Sequence, residues 1–329
     1  MLVFRGLPDR AEHGSVLTIG NFDGVHRGHQ ALLQLLVREA RERALPATVL
    51  TFEPHPREFF APESAPPRLS RLREKLELMA ECGVDRVYVL RFNKALASLD
   101  AEAFVENVLV RGLGVRHLLI GDDFRFGRGR GGDFAMLQRA GALQGFQVES
   151  MPTLDFEGER VSSSAVRDAL VSGDIERAER LIGRPYTMSG RVMHGDKIGR
   201  TIGFPTANIQ IKRNRAALHG IYTVTVDGIG DGPWPGVASL GNRPTITKNG
   251  AARLEVFLFG FDGNLYGKHL QVHFLHKQRD EEKYGSLTEL TAAIKRDCEI
   301  GRDVLAAHGV AIPAGAFTAE AQRREGPQR

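Results

Sequence analysis

The sequence is poor in cysteine, in long apolar runs and in net charge, and each shortage excludes a class of protein. Its two cysteines, Cys82 and Cys298, lie far apart and form no CxxC motif. This argues against a disulfide framework or a thiolate metal site and fits a reducing compartment. No apolar run reaches the ~18 residues of a membrane span, and the first residues lack the apolar core of a signal peptide. We therefore expect a cytoplasmic protein without a membrane partner.

The charge balance is mild, with 44 basic and 40 acidic residues and a net charge of +4. Basic and acidic residues alternate along the chain, so a nucleic-acid partner is not needed to explain them, and anionic nucleotide substrates suffice. A chain of 329 residues is long for one hydrophobic core, which favours two domains.

The most informative stretch is TIGNFDGVHRGH, residues 18–29, which begins as a strand and opens a helix after a glycine-rich turn. Gly20, Gly24 and Gly28 allow backbone N–H groups to approach a ligand, and the start of a helix favours an anion. His26 and His29 are three residues apart, so both imidazoles can reach one phosphate chain. If the nucleophile is itself a phosphate oxygen, donors suffice and no base is needed. A surface histidine pair or a fragment of a zinc site is the alternative.

From Ser15 to about Met151, strand and helix patterns alternate, which predicts a parallel α/β sheet with helices on both faces and ligands at the carboxyl ends of its strands. The proline-rich stretch 54–67, which contains His55, is predicted to be a loop over that crevice. Helices at 164–172 and 174–183 are expected to close the first domain, with a boundary near residue 185. The other predicted elements are strands at 15–20, 47–52, 84–92, 115–121 and 146–151 and helices at 29–44, 70–82, 101–112 and 133–144.

Beyond residue 185 the pattern alternates with a period of two, which is typical of antiparallel strands. Strands are predicted at 186–194, 220–227, 235–240, 252–260 and 269–276, followed by one helix at 286–308. This combination indicates a small antiparallel barrel closed by a terminal helix. Residues 311–329 have little apolar content and are expected to be a disordered tail.

Two further segments of the first domain carry polar and aromatic groups. GDDFRFG, residues 121–127, directly follows a strand and suits an aromatic ring system with a phosphate. RVSSSAVR, residues 160–167, places three hydroxyls at a helix start, where capping is the alternative explanation.

The second domain has its own candidate site in GDKIGRTIGFPTAN, residues 195–208. The spacing is not that of a P-loop, and Phe204-Pro205 prevents the helix that a P-loop opens. Thr206 and Asn208 are two apart in an extended segment, so they offer two neutral oxygens to a Mg²⁺ ion, unless they only satisfy a turn. Glu255 lies between Leu254 and Val256 and is either an exposed charge, which the sequence alone favours, or a base turned inward.

These motifs resemble one family over nearly the whole chain. GNFDGVHRGH is similar to the adenylyl-transfer motif of bacterial bifunctional riboflavin kinases/FAD synthetases, within the HxGH nucleotidyltransferase superfamily, and GDDFRFG and SSSAVR resemble that family's GxDFRFG and SSTxIR segments. GDKIGRTIGFPTANI, LGNRPTI, LEVFLF and HKQRDEEKYGSLTELTAAIKRD resemble riboflavin kinases. The resemblance implies a Rossmann-like nucleotidyltransferase domain at 1–185 and a riboflavin kinase barrel at 186–310.

The implied activities are phosphorylation of riboflavin to FMN with MgATP and adenylylation of FMN to FAD with release of pyrophosphate. Under this interpretation His26, His29 and Glu255 are catalytic, with Glu255 accepting the proton of the ribityl 5′-hydroxyl, and Thr206 and Asn208 hold Mg²⁺. Two alternatives stay open, a single-activity HxGH nucleotidyltransferase and a flavin-binding regulator without catalysis. The predicted ATP- and flavin-binding residues are Gly20, Asn21, Phe22, Asp23, Gly24, Asp123, Phe124, Phe126, Arg160, Ser163, Ser164, Arg167, Gly195, Lys197, Gly199, Arg200, Gly203 and Arg279.

Overall fold

The computed structural model describes residues 1–195, 198–213, 215–242 and 252–313. The chain divides into two compact units, Met1–Ala165 and Val166–Arg329. Among the described residues, no helix is both long enough and apolar enough to cross a membrane. The expected tail at 311–329 lies largely outside the described residues, as does Lys197.

The first unit is built on a sheet of six described strands, all parallel, in the order β1-β4-β3-β2-β5-β6. The strands are β1 (Leu2–Arg5), β2 (Ser15–Ile19), β3 (Ala47–Glu53), β4 (Arg86–Arg91), β5 (Val115–Gly121) and β6 (Gln147–Met151). The helices are α1 (Arg27–Glu42), α2 (Pro56–Phe60), α3 (Leu72–Glu81), α4 (Lys94–Ala97), α5 (Ala101–Phe104), which continues as a π-helix at Val105–Gly112, and α6 (Phe134–Gln144). A hairpin of β7 (Asp155–Phe156) and β8 (Glu159–Arg160) follows.

Alternating side chains of β2 enter two separate cores, which shows that both faces of the sheet are covered. Leu17 and Ile19 pack with Phe104 and Leu109 on one face. Val16 packs on the other face with residues of α1 such as Leu33 and Leu36. Because the chain passes from β2 to β3 and β4 and then returns with β5 to the other side of β2, the ends of β2 and β5 border the switch point where ligands bind in such sheets.

Strand β1 and helix α2 are among the elements of the first unit that were not predicted. Strand β1 was not predicted, because all four of its residues are exposed and an edge strand held by backbone hydrogen bonds leaves no burial pattern in the sequence.

The stretch 54–67 is not loop throughout, since it contains α2. His55 is the N-cap of this helix, where its Nδ1 accepts the N–H of Arg57 at 3.0 Å, and Glu58 Oε2 accepts the N–H of His55 at 3.2 Å. This reciprocal capping, with Pro56 at the first turn, stabilises a helix that the proline content concealed.

In the second unit, six described strands close into an antiparallel barrel in the order β10-β13-β12-β11-β14-β9. The strands are β9 (Tyr186–Met193), β10 (Thr206–Gln210), β11 (Gly220–Asp227), β12 (Trp234–Asn242), β13 (Ala252–Leu258) and β14 (His269–Arg279). The helices are α7 (Ser163–Ser172), which begins in the first unit, α8 (Ile175–Ile182), the single turn α9 (Ile198–Thr201) and α10 (Leu287–Ala307). The predicted fold class, a parallel α/β domain followed by a barrel with a terminal helix, is confirmed.

The division between the units lies before the predicted boundary near residue 185. Helix α8 belongs to the second unit and contacts strands β9 and β14 of the barrel. Its buried face consists of Ile175, Ala178, Leu181 and Ile182. The outer face of the barrel is covered by α10, whose Cys298 and Leu305 pack against Val237, Phe257 and Phe259.

Candidate active sites

The turn after β2 has an unusual backbone. Phe22, Gly24 and Val25 have φ values of +49°, +83° and +41°, in the left-handed region that side chains disfavour. Such a conformation costs on the order of 1–3 kcal/mol at a non-glycine residue and persists only where the surroundings enforce it. Here Phe22 and Val25 are each only 1% exposed, so burial of both side chains holds the turn. The segment is a rigid, pre-shaped loop at the switch point.

Asp23 fastens this turn to the segment that precedes α3. Its carboxylate accepts the backbone N–H groups of Leu69 at 3.0 Å and Ser70 at 2.9 Å, and Ser70 Oγ accepts the N–H of Gly24 at 2.9 Å. A Cβ on Gly24 would lie 2.9 Å from Leu69 Cδ1. Asp23 is therefore needed as a hydrogen-bond acceptor in this turn, and Gly24 is needed because a side chain would collide with Leu69.

The two motif histidines stack at the start of α1. Their ring centroids are 3.7 Å apart with an interplanar angle of 18°. His26 is the N-cap, and its Nδ1 accepts the N–H of His29 at 3.3 Å, so α1 begins at Arg27, earlier than the predicted residue 29. Because Nδ1 of His26 is an acceptor, the proton of the neutral ring is assigned to Nε2. The prediction that both rings can reach one ligand is compatible with this stacking.

His29 is held in its neutral form. Burial, and then the positive charges of His26 and Lys75, lower the pKa of His29 well below its usual value. Its Nδ1 is fully enclosed and has no hydrogen-bond partner among the described residues, although the residue as a whole keeps some solvent exposure. A neutral imidazole at this position offers one N–H donor at pH 7 and does not act as a fixed cation.

Lys75 is a buried cation beneath the turn that the sequence did not reveal. It is 5% exposed, and its Nζ donates to the Asn21 carbonyl at 2.7 Å and to Thr51 Oγ1 at 3.3 Å. Burial lowers the pKa of Lys75, while Asp23 and Glu53 oppose that shift. Lys75 lies in the middle of a helix far from the motifs, and only the tertiary structure brings it under Asn21. It fixes the backbone where the turn begins.

The segment after β5 divides into core and accessible positions. The rings of Phe124 and Phe126 stack at 5.7 Å, and Phe126 is buried and contacts Phe104 at 5.5 Å. Asp123 is exposed and lies 3.8 Å from Arg160 of the β7–β8 hairpin. Of the residues predicted here, Phe126 supports the fold, and Phe124, Asp123 and Arg160 remain accessible to a ligand.

The hydroxyl-rich segment reaches the first motif. Ser163 Oγ donates to the carbonyl of Asp23 at 2.9 Å, across 140 positions of sequence. Ser162 Oγ accepts the N–H of Ala165 at 3.1 Å and so takes the capping role, while Ser164 is exposed. The structure thus brings two of the three predicted segments of this site into direct contact. Arg167 belongs to the second unit.

In the second unit, the candidate residues converge on the outer face of the barrel. Strand pairing places Asn208 opposite Glu255 and Thr206 opposite Phe257. Leu254 and Val256 point to the other face, where they are fully buried. Phe257, which shares the face of Glu255, packs against α10. The Glu255 side chain is 33% exposed on this outer face, and its role stays a prediction.

Arg253 joins these groups into one cluster. Its Nε lies 2.8 Å from Glu255 Oε1 and 3.0 Å from Asn208 Oδ1, and Thr206 Oγ1 donates to Glu255 Oε2 at 3.3 Å. A Cβ on Gly195 would lie 2.2 Å from the Asn208 amide nitrogen, so the loop backbone closes directly over Asn208. Arg253 was missed, although its position two residues before Glu255 on one strand face was a usable signal.

The remaining predicted residues of this unit shape the surroundings. Gly203 has a φ of +84°, and a Cβ on Gly199 would lie 2.2 Å from the Phe204 carbonyl oxygen, while Arg200 is exposed on α9. Arg279 forms two hydrogen bonds to the buried carboxylate of Asp297, at 2.8 and 2.6 Å, and these bonds raise its pKa. Arg279 is thereby tied to α10 at the end of β14.

The fold and the two clusters define a two-domain transferase in which a nucleotidyltransferase-type α/β unit precedes a barrel-type kinase unit. Comparison with family models agrees, since residues 9–165 match FAD synthetase and residues 182–305 match riboflavin kinase. The chain belongs to the family of bifunctional riboflavin kinases/FMN adenylyltransferases.

Curated relatives match over nearly their whole length. The bifunctional riboflavin kinase/FMN adenylyltransferase of Pseudomonas fluorescens is 52% identical over 95% of this chain and 99% of its own. The protein of the same name from Escherichia coli K12 is 51% identical over 90% of this chain and 96% of its own. A solved structure described as a macrolide-efflux protein from Streptococcus pneumoniae is 29% identical, with a TM-score of 0.78 over 92% of this chain and 99% of its own.

Proposed function

We propose that residues 186–310 phosphorylate riboflavin to FMN and that residues 1–185 then adenylylate FMN to FAD, with ATP as co-substrate of both reactions. One observation carries this proposal. Each matched domain contains one cluster of predicted residues, and that cluster offers the hydrogen-bond donors or the proton acceptor that the reaction of the domain needs. The first cluster presents imidazole donors, and the second presents a carboxylate beside a hydroxyl and an amide.

In the adenylylation step, a phosphate oxygen of FMN attacks the α-phosphorus of ATP and pyrophosphate leaves. The attacking oxygen is already anionic, so no base has to remove a proton. His26 and His29 donate hydrogen bonds to the phosphate chain as charge spreads over its oxygens, which stabilises the transition state. The strained turn and its buried Lys75 hold the donors in position before substrate arrives, and this preorganisation is what makes such donors effective.

In the kinase step, the ribityl 5′-hydroxyl attacks the γ-phosphorus of ATP and ADP leaves. This nucleophile must lose a proton, and Glu255 accepts it. Arg253 and Thr206 contact the two carboxylate oxygens of Glu255 and restrict the rotation of its side chain. The base is therefore oriented before the hydroxyl binds.

Thr206 and Asn208 provide the oxygen donors that Mg²⁺ prefers, and they lie on one strand face beside Glu255. A Mg²⁺ ion held there with ATP would neutralise phosphate charge. The Asn208 amide oxygen accepts from Arg253, so this guanidinium competes with a metal ion for the same oxygen. The donor set fits Mg²⁺ provided that Arg253 releases Asn208 when MgATP binds.

The direct test is to incubate the purified protein with riboflavin and MgATP and to separate FMN from FAD by chromatography. We expect FMN to appear first and FAD to follow. A single-activity nucleotidyltransferase would make FAD only from supplied FMN, and a flavin-binding regulator would make neither product. Either of those outcomes would refute the proposal.

A further inference from the structure

A second group of metal-ligating side chains lies in the first unit, away from the stacked histidines. Glu39 of α1, His117 of β5 and Glu149 of β6 each offer one ligand atom, and these atoms lie within 4.8 Å of one another. Glu39 is ten residues beyond His29, which is about 15 Å along a helix. The cluster is therefore distinct from the adenylylation site.

His117 is the buried member of this cluster and points into it. The residue is 4% exposed, and its Nδ1 lies 3.2 Å from Gln147 Oε1. Arg43 Nη2 also donates to Gln147 Oε1, which identifies that atom as the amide oxygen. The oxygen can only accept, so the proton of the neutral ring is on Nδ1, and Nε2 carries a lone pair.

The Nε2 atom of His117 has no satisfactory partner among the described residues. It is fully enclosed and makes no hydrogen bond, yet it faces Glu149 Oε2 at 3.3 Å. Two acceptors at this distance repel each other unless a cation or a proton lies between them. Enclosed polar atoms without a partner are uncommon and often indicate an ion that belongs at the position.

We propose that Glu39, His117 and Glu149 bind a divalent transition-metal ion of the Zn²⁺ type. One imidazole nitrogen with two carboxylate oxygens is a set that Zn²⁺ accepts, whereas Mg²⁺ prefers oxygen ligands alone. The bond from Nδ1 of His117 to Gln147 is the outer contact that orients a metal-binding histidine. With bonds of about 2.0–2.2 Å, zinc ligands are roughly 3.4 Å apart. Glu149 Oε2 is already at 3.3 Å from His117 Nε2, and since the three ligand atoms lie within 4.8 Å of one another, the remaining closure is at most about 1.4 Å.

Two arginines lie beside the Glu39 carboxylate and interact with it in the absence of a metal ion. Arg43 Nη1 lies 2.6 Å from Glu39 Oε2, and Arg38 Nη2 lies 3.5 Å from Glu39 Oε1. Arg38 is largely exposed, so its interaction is weak, but Arg43 is an i,i+4 partner that competes with the metal for Glu39. A bound ion would connect α1, at whose start the two motif histidines lie, to β5 and β6.

The test is calorimetric titration of the metal-free full-length protein with Zn²⁺, together with His117→Gln and Glu149→Gln variants. We expect the wild type to bind one more Zn²⁺ ion than either variant, or to bind it at least ten-fold more tightly. Zinc held by the active-site histidines would persist in both variants, so the new site is the difference. The matched control is His13→Gln, an exposed histidine of the same unit, which should titrate like the wild type.

A second variant is expected to strengthen zinc binding instead of weakening it. Arg43→Gln removes the cation that competes for Glu39, so Zn²⁺ affinity at this site should rise. If the wild type and His117→Gln titrate identically, His117 and Glu149 form only a protonated ion pair and the proposal is wrong. If Arg43→Gln weakens zinc binding, Glu39 is not a ligand.

Discussion

The two candidate clusters are built in different ways, and under the proposed function the difference follows their nucleophiles. In the first unit, the two histidines directly follow one turn with positive φ values, and the proposal gives both of them a donor role within a short stretch of chain. In the second, Thr206 and Asn208 meet Glu255 only because β10 and β13 pair in one register. An anionic phosphate needs donors at fixed positions, which a rigid turn supplies. A hydroxyl needs a base beside a phosphate site, and adjacent strands can supply both.

The largest expected effect is on the rate of riboflavin phosphorylation, because the proposal assigns a proton transfer to the second cluster alone. Glu255→Gln keeps the shape of the side chain and removes its basicity, so phosphorylation of riboflavin should slow by ~10² to 10⁴. Adenylylation of supplied FMN should stay at the wild-type rate. Initial rates of FMN and FAD formation, measured separately, check both statements.

The matched control for Glu255→Gln is Glu299→Gln, which neutralises an exposed acid on α10 of the same unit. It should leave both rates unchanged. A Glu255→Gln enzyme that phosphorylates riboflavin within a few-fold of the wild type would mean that Glu255 is not the base. The contrast between the clusters would then lose its chemical explanation.

The reciprocal change is His29→Ala. Removal of one donor to a transition state commonly costs ~10² or more in rate, so FAD formation from FMN should fall by that factor while riboflavin phosphorylation is unaffected. Substitution of the exposed His13 by Ala is the control for loss of a histidine in this unit. Unchanged adenylylation in His29→Ala would show that the stacked pair is not the donor set.

The same contrast explains what the sequence could predict. The first cluster was predictable because strand, turn, histidines and helix start lie within twelve consecutive residues, 18–29, and local rules describe each of them. The strand alternation of both units was predictable from hydrophobic periodicity for the same reason. Lys75 and strand β1 escaped because their positions depend on tertiary packing or on an edge pairing that leaves no burial pattern, whereas Arg253 was missed despite its place on the strand face of Glu255. The bond from Ser163 to Asp23 likewise needs the complete fold.

A truncation series tests the division between the units. We propose that a fragment of residues 186–310 folds and makes FMN but no FAD. A longer fragment, 166–313, should be more stable, because it keeps the apolar face of α8 on strands β9 and β14. Burial of each large aliphatic side chain contributes about 1.5–3 kcal/mol, so the melting temperature should rise by at least about 5 °C. Equal melting temperatures would show that α8 is dispensable to the barrel, and FAD formation by either fragment would refute the assignment of activities.

The smallest expected effect is a pH dependence confined to the first unit. Because the pKa of His29 is lowered well below its usual value in the folded protein, mainly by burial, folded His29 stays neutral when the unfolded chain begins to take up a proton near pH 6.5. Its contribution to stability is therefore complete above that pH and decreases as the pH falls toward the folded pKa. At pH 5.5 the loss reaches up to about 1.4 kcal/mol.

Thermal unfolding at pH 7.5 and 5.5 should show a smaller acid destabilisation in His29→Gln than in the wild type, and His13→Gln should match the wild type. An identical pH response of all three proteins would mean that His29 is not kept neutral by burial. The interpretation of His29 as a neutral donor would then have to change to one in which its imidazolium charge binds the phosphates.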